Sequence, residues 1–311
     1  VTTTTTAIPT STDTITATEN QPYRAQPETS IMAEIRLTLL TENTAKGRKI
    51  LGEHGLAYWI ETPAGNVLFD TGQGQTLFHN AALCGADLAQ TAAVVLSHGH
   101  FDHTGGLEQV LDAAPAASVY FHPDAILPRY SAAPAGGTRT VAVPFMHNGG
   151  VLKKAATVRY TRQPTPILGG LVATGEVPRH YADEDTGGDF FLDADGHRRD
   201  PINDDQSLYF ESTEGLVLIL GCAHAGVVNT LHHVARLTGT QRIHAVIGGM
   251  HLLYADPARL ERTYAAFRDY DVRLIAPCHC TGIRAVAGFW NHFPERCAEA
   301  HAGKRFTFRL P

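Results

Sequence analysis

The string Ser97-His98-Gly99-His100-Phe101-Asp102-His103-Thr104-Gly105-Gly106 places three imidazoles and one carboxylate within six residues. Neutral imidazole and carboxylate together suit Zn²⁺ and similar borderline metals. A short apolar run, residues 92–96, ends just before the string, and residues 106–113 read as a helix just after it. A loop between strand and helix lets neighbouring side chains converge, and the glycines at 99, 105 and 106 permit tight backbone there. Four ligands are too many for one catalytic zinc that keeps a position open for water. The natural division gives His98 and His100 to one ion, and Asp102 and His103 to a second.

Each ion then needs further ligands, and the candidates end later apolar runs. His224 follows residues 216–220 in Gly221-Cys222-Ala223-His224-Ala225-Gly226. His251 follows residues 245–247 in Gly248-Gly249-Met250-His251-Leu252, and His279 follows residues 274–276 in Pro277-Cys278-His279-Cys280-Thr281-Gly282. Parallel strands joined by crossovers bring such ends to one edge. Strand alternation turns Cys278 and Cys280 away from His279, so both are expected to pack. Cys84 and Cys297 read as small buried residues. His54 and Asn43 read as structural residues near the pocket, and His232-His233 as the surface of a helix.

The elements that must position these groups follow from periodicity. Residues 35–40 alternate as a strand. Residues 56–61 and 67–70 flank Pro63-Ala64-Gly65-Asn66 as a hairpin. Residues 75–83 form a short helix and 117–121 a strand. Residues 207–211 and 216–220 pair around Glu214-Gly215. Then come a helix at 227–237, a strand at 245–247, a helix at 257–270, a strand at 274–276, a mainly helical stretch at 283–301 and a last strand at 305–309. Residues 131–205, with four Gly-Gly pairs, read as an insertion of short strands among long loops, a lid over the site. This order predicts two mixed sheets facing each other with helices outside, in a single domain over 32–311.

Composition narrows the function. The chain has 311 residues, 43% of them hydrophobic, and a formal net charge of −6. The mild acidity and the lack of a basic run exclude a nucleic-acid binder of the usual kind. No apolar run is long enough to span a membrane. Five cysteines, an odd number, do not pair into a disulfide framework, so a reducing, cytoplasmic setting is expected. Ten of the first twenty residues are Thr. Residues 1–31 are therefore expected to be disordered, Met32 is a candidate start, and the Thr-rich segment leaves export open.

The His98, His100, Asp102, His103 pattern is the HxHxDH signature, and the chain resembles the metallo-β-lactamase-fold superfamily over roughly 35–310. Leu68-Phe69-Asp70-Thr71-Gly72 is similar to that superfamily's strand-end Asp motif. Glu53-His54-Gly55-Leu56, Gly175-Glu176-Val177-Pro178-Arg179, Asp204-Asp205-Gln206-Ser207-Leu208 and the three later histidine strings resemble one subgroup, the dihydropterin-methyl-ribofuranosylaminobenzene-phosphate synthase-like branch. The resemblance implies an α/β fold, a four-layer αββα sandwich with the metals at one edge, and supports His98, His100, Asp102, His103 and His279 as ligands. Where many members carry a bridging Asp, this chain has Cys222. His224, Cys222 as a thiolate, and Asp205 are the candidates to compensate. Asp70 is expected to hold a ligating imidazole from behind.

The function expected is a metal-dependent hydrolase of a small molecule, with one or two Zn²⁺ per chain, or Mn²⁺ or Fe. Asp102 would serve as ligand and proton acceptor, and His251 as an additional donor. The alternatives are a transferase releasing diphosphate, with Arg179 and Arg162 as cations, or an iron redox enzyme. Substrate and oligomeric state are not legible.

Overall fold

The computed structural model describes residues 1–4, 33–145 and 150–311. The chain divides into two units, Val1–Ile31 and Met32–Pro311, and every element named below lies in the second. The expectations for the Thr-rich segment and for Met32 fall on residues 5–32, outside the described residues.

The first half runs through β1 (Glu34–Thr41), β2 (Ala57–Thr62), β3 (Gly65–Phe69), α1 (Leu77–Cys84), β4 (Thr91–Val95), the single turn α2 (Phe101–Thr104), α3 (Leu107–Ala113) and β5 (Ser118–Phe121). The middle holds short strands: β6 (Tyr130–Ala132), β7 (Thr138–Thr140), β8 (Thr157–Tyr160), β9 (Thr165–Pro166), β10 (Val172–Ala173) and β11 (Phe190–Phe191). The second half runs through β12 (Leu208–Ser212), β13 (Gly215–Leu220), α4 (Val227–Thr238), β14 (Ile243–Gly249), α5 (Pro257–Asp269), β15 (Leu274–Cys278), α6 (Ile283–His292) and β16 (Arg305–Arg309).

One sheet has the order β16-β1-β2-β3-β4-β5-β8, and the other β15-β14-β13-β12-β10-β9. Both are mixed. Strand β3 pairs antiparallel with β2 through Thr62↔Gly65 but parallel with β4, and β13, β14 and β15 are parallel. The predicted strands and their pairings therefore stand, with ends moved by a residue or two.

Period-two alternation explains how both faces of each sheet are buried. In β13, Val217 and Ile219 point to the sheet-sheet core with Phe69, Val95 and Ile247. Leu216, Leu218 and Leu220 point the other way, against Leu231 of α4, Phe267 of α5 and Phe289 of α6. Leu68, Val94 and Leu96 likewise meet Leu77 of α1 and Leu107 and Leu111 of α3. Each such side chain contributes about 1.5–3 kcal/mol by leaving water. The result is helix, sheet, sheet, helix, the four layers expected.

Two readings are corrected. The last helical stretch stops at His292. Pro294 follows, and the chain then runs beside β15, with Ile275 N donating to Arg296 O at 2.8 Å and Ala298 N to Ile275 O at 2.9 Å. The histidine string is only half a loop, since Asp102 and His103 sit on α2 with His100 at its N-cap. Of the short strands in the middle segment, β8 extends the first sheet, β9 and β10 extend the second, and β11, β6 and β7 form a third.

Candidate metal centre

The C-terminal ends of β4, β13, β14 and β15 deliver His98, Cys222 with His224, His251 and His279 to one edge of the sandwich. The β4 loop is held from several sides. Ser97 N donates to Asp70 Oδ1 at 2.7 Å and Ser97 Oγ to Asp70 Oδ2 at 2.6 Å. Gly99 lies so close to the chain behind it that a Cβ there would stand 1.8 Å from Ala125 O. The Asp204-Asp205-Gln206 string clamps both loops. Asp204 Oδ2 accepts Gly99 N at 2.7 Å, Gln206 Nε2 donates to Leu96 O at 2.8 Å, and Asp205 Oδ2 accepts Ala225 N at 2.9 Å.

Four of the candidate imidazoles, His98, His103, His224 and His279, are oriented by one nitrogen and present the other. Because Ser97 Oγ donates to Asp70, it accepts from His98 Nδ1, 2.9 Å away. His103 Nδ1 lies 2.7 Å from Asp70 Oδ2, His224 Nδ1 2.7 Å from Thr186 O, and His279 Nδ1 2.8 Å from Asn43 Oδ1. All four therefore turn Nε2 inward. Two groups result. His98 Nε2 stands 2.9 Å from His100 Nδ1, and His98, His100 and His224 offer donor atoms within 4.8 Å of one another. His103 Nε2 lies 3.1 Å from Cys222 Sγ, 3.2 Å from His279 Nε2 and 3.7 Å from Asp102 Oδ2. Asp102 Oδ2 is also 3.4 Å from His279 Nε2.

The donor set fits a metal on its own evidence. His100 Nε2, His224 Nε2, Asp205 Oδ1 and His251 Nδ1 are buried polar atoms without a hydrogen-bond partner. Unpaired groups of this kind are costly unless something satisfies them. Burial holds His98 and His224 well below the ordinary imidazole range, His100 at about 3, helped by the Arg129 charge, and His251 at about 4. They are neutral at pH 7, the form that ligates. Burial pushes the Asp102 carboxyl up, but His103 and His279 outweigh it and hold it well below the carboxylate range. His103 is raised, because Asp70 and Asp102 outweigh burial.

The centre opens on a cleft of about 1030 Å³. Asn43, His54, Phe101, Phe190, Arg139 and Arg199 line it together with Asp102, Cys222, His251, His279 and Cys280. His251 stacks on His224, ring centroids 4.2 Å apart. Four expectations change here. Arg179 and Arg162 are not the cleft's cations: Arg179 Nη1 donates to His224 O at 2.9 Å and Arg162 pairs with Asp124, while β7 supplies Arg139 to the cleft. Cys280 does not merely pack. His279 has φ +52°, which ends the strand and its alternation, so Cys280 turns into the cleft while Cys278 stays buried beside Tyr58. His232 and His233 are half-buried rather than on the surface. His54, read as structural, brings Nε2 to 3.3 Å from Asp102 Oδ2.

A family model described as the metallo-beta-lactamase superfamily matches residues 51–279. The chain belongs to that superfamily. The expected resemblance and fold are thereby shown. Among its relatives, the 7,8-dihydropterin-6-methyl-4-(beta-D-ribofuranosyl)-aminobenzene-5'-phosphate synthase of Methanocaldococcus jannaschii is 27% identical, covering 87% of this chain and 95% of that protein. An uncharacterized protein of the same organism is 33% identical over 80% of this chain and 92% of its own length. A solved structure described as a metal-dependent hydrolase of the beta-lactamase superfamily is 30% identical, with TM-score 0.76, covering 88% of this chain and 98% of its own. The superfamily implies a metal cofactor, and the two donor groups are where this member would hold it. Among the described residues no helix is long and apolar enough to cross a membrane.

Proposed function

We infer that this superfamily member is a metal-dependent hydrolase acting on a small molecule bound in the cleft. The observation that carries the reading is His224 beside His98 and His100. Its Nδ1 is engaged by Thr186 O, and its Nε2 is buried, unpartnered and within 4.8 Å of the other two donors. His98, His100 and His224 would hold one ion, and Asp102, His103 and His279 are the donors around a second. A divalent cation so held supplies a Lewis acid and an acidified water.

The chain's own groups do the remaining work. Asp102, ionised and at the cleft wall, is positioned to orient water and to accept a proton at Oδ2. His54 Nε2, 3.3 Å away on a side chain 60% exposed, can pass that proton to solvent or to a leaving group. Burial outweighs the pull of Asp102 and keeps His54 below the ordinary imidazole range, so it is neutral at pH 7 and gives up readily any proton it picks up. His251 borders the same cleft as an additional donor. Phe101 and Phe190 exclude water from two walls, and Arg139 offers an anchor for an anionic group.

One observation favours a second reading. The chain covers 95% of a relative named as a synthase, and fold and branch do not fix the reaction. That reading is a transferase joining a pterin diphosphate to an aminobenzene-type acceptor with release of diphosphate. The deciding experiment is a screen of zinc-loaded protein against phosphoesters, phosphodiesters, carboxylic esters and lactones, run beside diphosphate release with and without an aromatic amine acceptor. Turnover in water alone supports the hydrolase. Diphosphate release that depends on the acceptor replaces it with the transferase.

A further inference from the structure

The resemblance supports Asp102, His103 and His279 as ligands and leaves Cys222 as a substitute for a missing carboxylate. The structure adds a second sulfur. Cys222, His279 and Cys280 offer Sγ, ring nitrogen and Sγ within 4.8 Å of one another. All five cysteines are free thiols, yet only these two line the cleft. They end two different strands, β13 and β15, with β14 between them.

Three features of the chain bring the two sulfurs together. Gly249, at the end of β14, carries no side chain, and a Cβ there would stand 2.7 Å from Cys280 Sγ and 2.4 Å from Gly221 O. The left-handed turn at His279 swings Cys280 back toward β13, and Cys280 Sγ rests 3.7 Å from Cys222 O. Glu42 Oε1 pins that turn by accepting His279 N at 2.7 Å, while Asn43 fixes the ring with Nε2 facing inward.

We propose that Cys222, Cys280 and His279 form a thiolate-bearing position for a thiophilic divalent cation, zinc before manganese or magnesium, beside the all-imidazole position of His98, His100 and His224. The proposal rests on the metal-enzyme reading above and adds Cys280 to it. Soft sulfur donors select zinc over the oxygen-seeking cations. Thiolate charge at this position also replaces the negative charge that a bridging carboxylate would bring between two dications. His103, 3.1 Å from Cys222 Sγ, and Asp102 stand at the border between the positions. Binding releases the thiol protons to solvent.

The test uses the full chain, reduced and stripped with chelator, then titrated with Co²⁺ and in parallel with Zn²⁺. Near-ultraviolet sulfur-to-cobalt absorption and the number of reagent-accessible thiols are read at each step. The expected result is a sulfur-to-cobalt band and zinc protection of two thiols. Cys280→Ser and Cys222→Ser should each remove much of the band and weaken one ion by more than the roughly 10- to 100-fold that losing a partner behind a ligand costs, with the other ion retained. Cys84→Ser should leave the sulfur-to-cobalt band and the zinc protection of two thiols unchanged. Cobalt bound at full stoichiometry by the unaltered chain, with no sulfur band and no thiol protection, overturns the proposal and leaves the metal enzyme standing. No binding of either ion overturns both. Because the unaltered chain gives the deciding spectrum, a variant that fails to fold does not obscure the result.

Discussion

Asp204 Oδ2 accepts the Gly99 amide at 2.7 Å across 105 residues of sequence. Both oxygens of Asp204 also bind the guanidinium of Arg129, which is fully buried and pairs through Nε with Asp200 Oδ2 at 2.9 Å. This group of buried charges stands directly behind the loop that carries His98 and His100. Asp204→Ala leaves Arg129 without its main partner, and truncating one member of a buried ion pair costs about 3–5 kcal/mol. Denaturant unfolding of the metal-free protein should show a loss of that size. A change under about 1 kcal/mol would show that the group is effectively solvated and does not hold the loop.

Asp70 reaches Ser97 N, Ser97 Oγ and His103 Nδ1 with its two oxygens. Asp70→Asn keeps the shape but offers at most one acceptor oxygen and loses the charge. Metal affinity should fall about 10- to 100-fold, read by competition with a chromogenic chelator. Unchanged affinity would mean that His103 needs no support from behind.

Acid should destabilise the metal-free protein. Burial holds His100 at about 3 and His251 at about 4, and lowers His98 and His224 as well. An unfolded imidazole titrates near 6.5. Below that pH the unfolded chain binds protons that the folded chain refuses, so stability present above pH 6.5 is lost as pH falls. Each imidazole contributes up to about 1.4 kcal/mol per pH unit. His103, with its pKa raised, is protonated in both states below 6.5 and adds no slope there. Asp205, pushed up to about 6 by burial, works the other way between about pH 4 and 6, where the folded chain holds the extra proton. Glu184 and Asp200 are raised by burial in the same way, but His54, His122, His232 and His233 are lowered by burial as well, so the lowered imidazoles outnumber the raised carboxyls and leave a net loss. The denaturant midpoint should drop between pH 7 and 5.5, and a flat profile would count against buried neutral ligands.

His54 separates binding from turnover. Its ring faces the cleft 3.3 Å from Asp102 Oδ2; it lies outside the all-imidazole group, while its donor atom is within 4.8 Å of those of Asp102 and His279. His54→Ala should retain metal content and lower kcat on a substrate found in the screen by about 10²-fold or more, the size of a general acid-base contribution. Loss of metal in this variant would assign His54 to the ligand set instead.

Much of this was legible in the residues. The short apolar runs at β1 to β5 and β12 to β15 give both sheets, because a strand buried on two faces reads as near-continuous apolar sequence. The dense string from His98 to His103 marks the centre, and the strings ending β13, β14 and β15 mark its partners. The middle third was not legible, because two- and three-residue strands carry too few side chains for a period, and their pairing is settled by the sheets they join. Cys280 was misread for a related reason: alternation predicts direction only while a strand continues, and the turn at His279 ends it.

The sequence by itself determined the layers, the family and the residue types available to a metal, since these follow from periodicity and from ligands adjacent along the chain. Tertiary structure decided which nitrogen of each ring faces inward, that Asp204 and Arg129 brace the loop, and that Cys222 and Cys280 meet across β14. The brace and the meeting of the two cysteines join residues 58 to 105 positions apart, and only folding sets the distance between them.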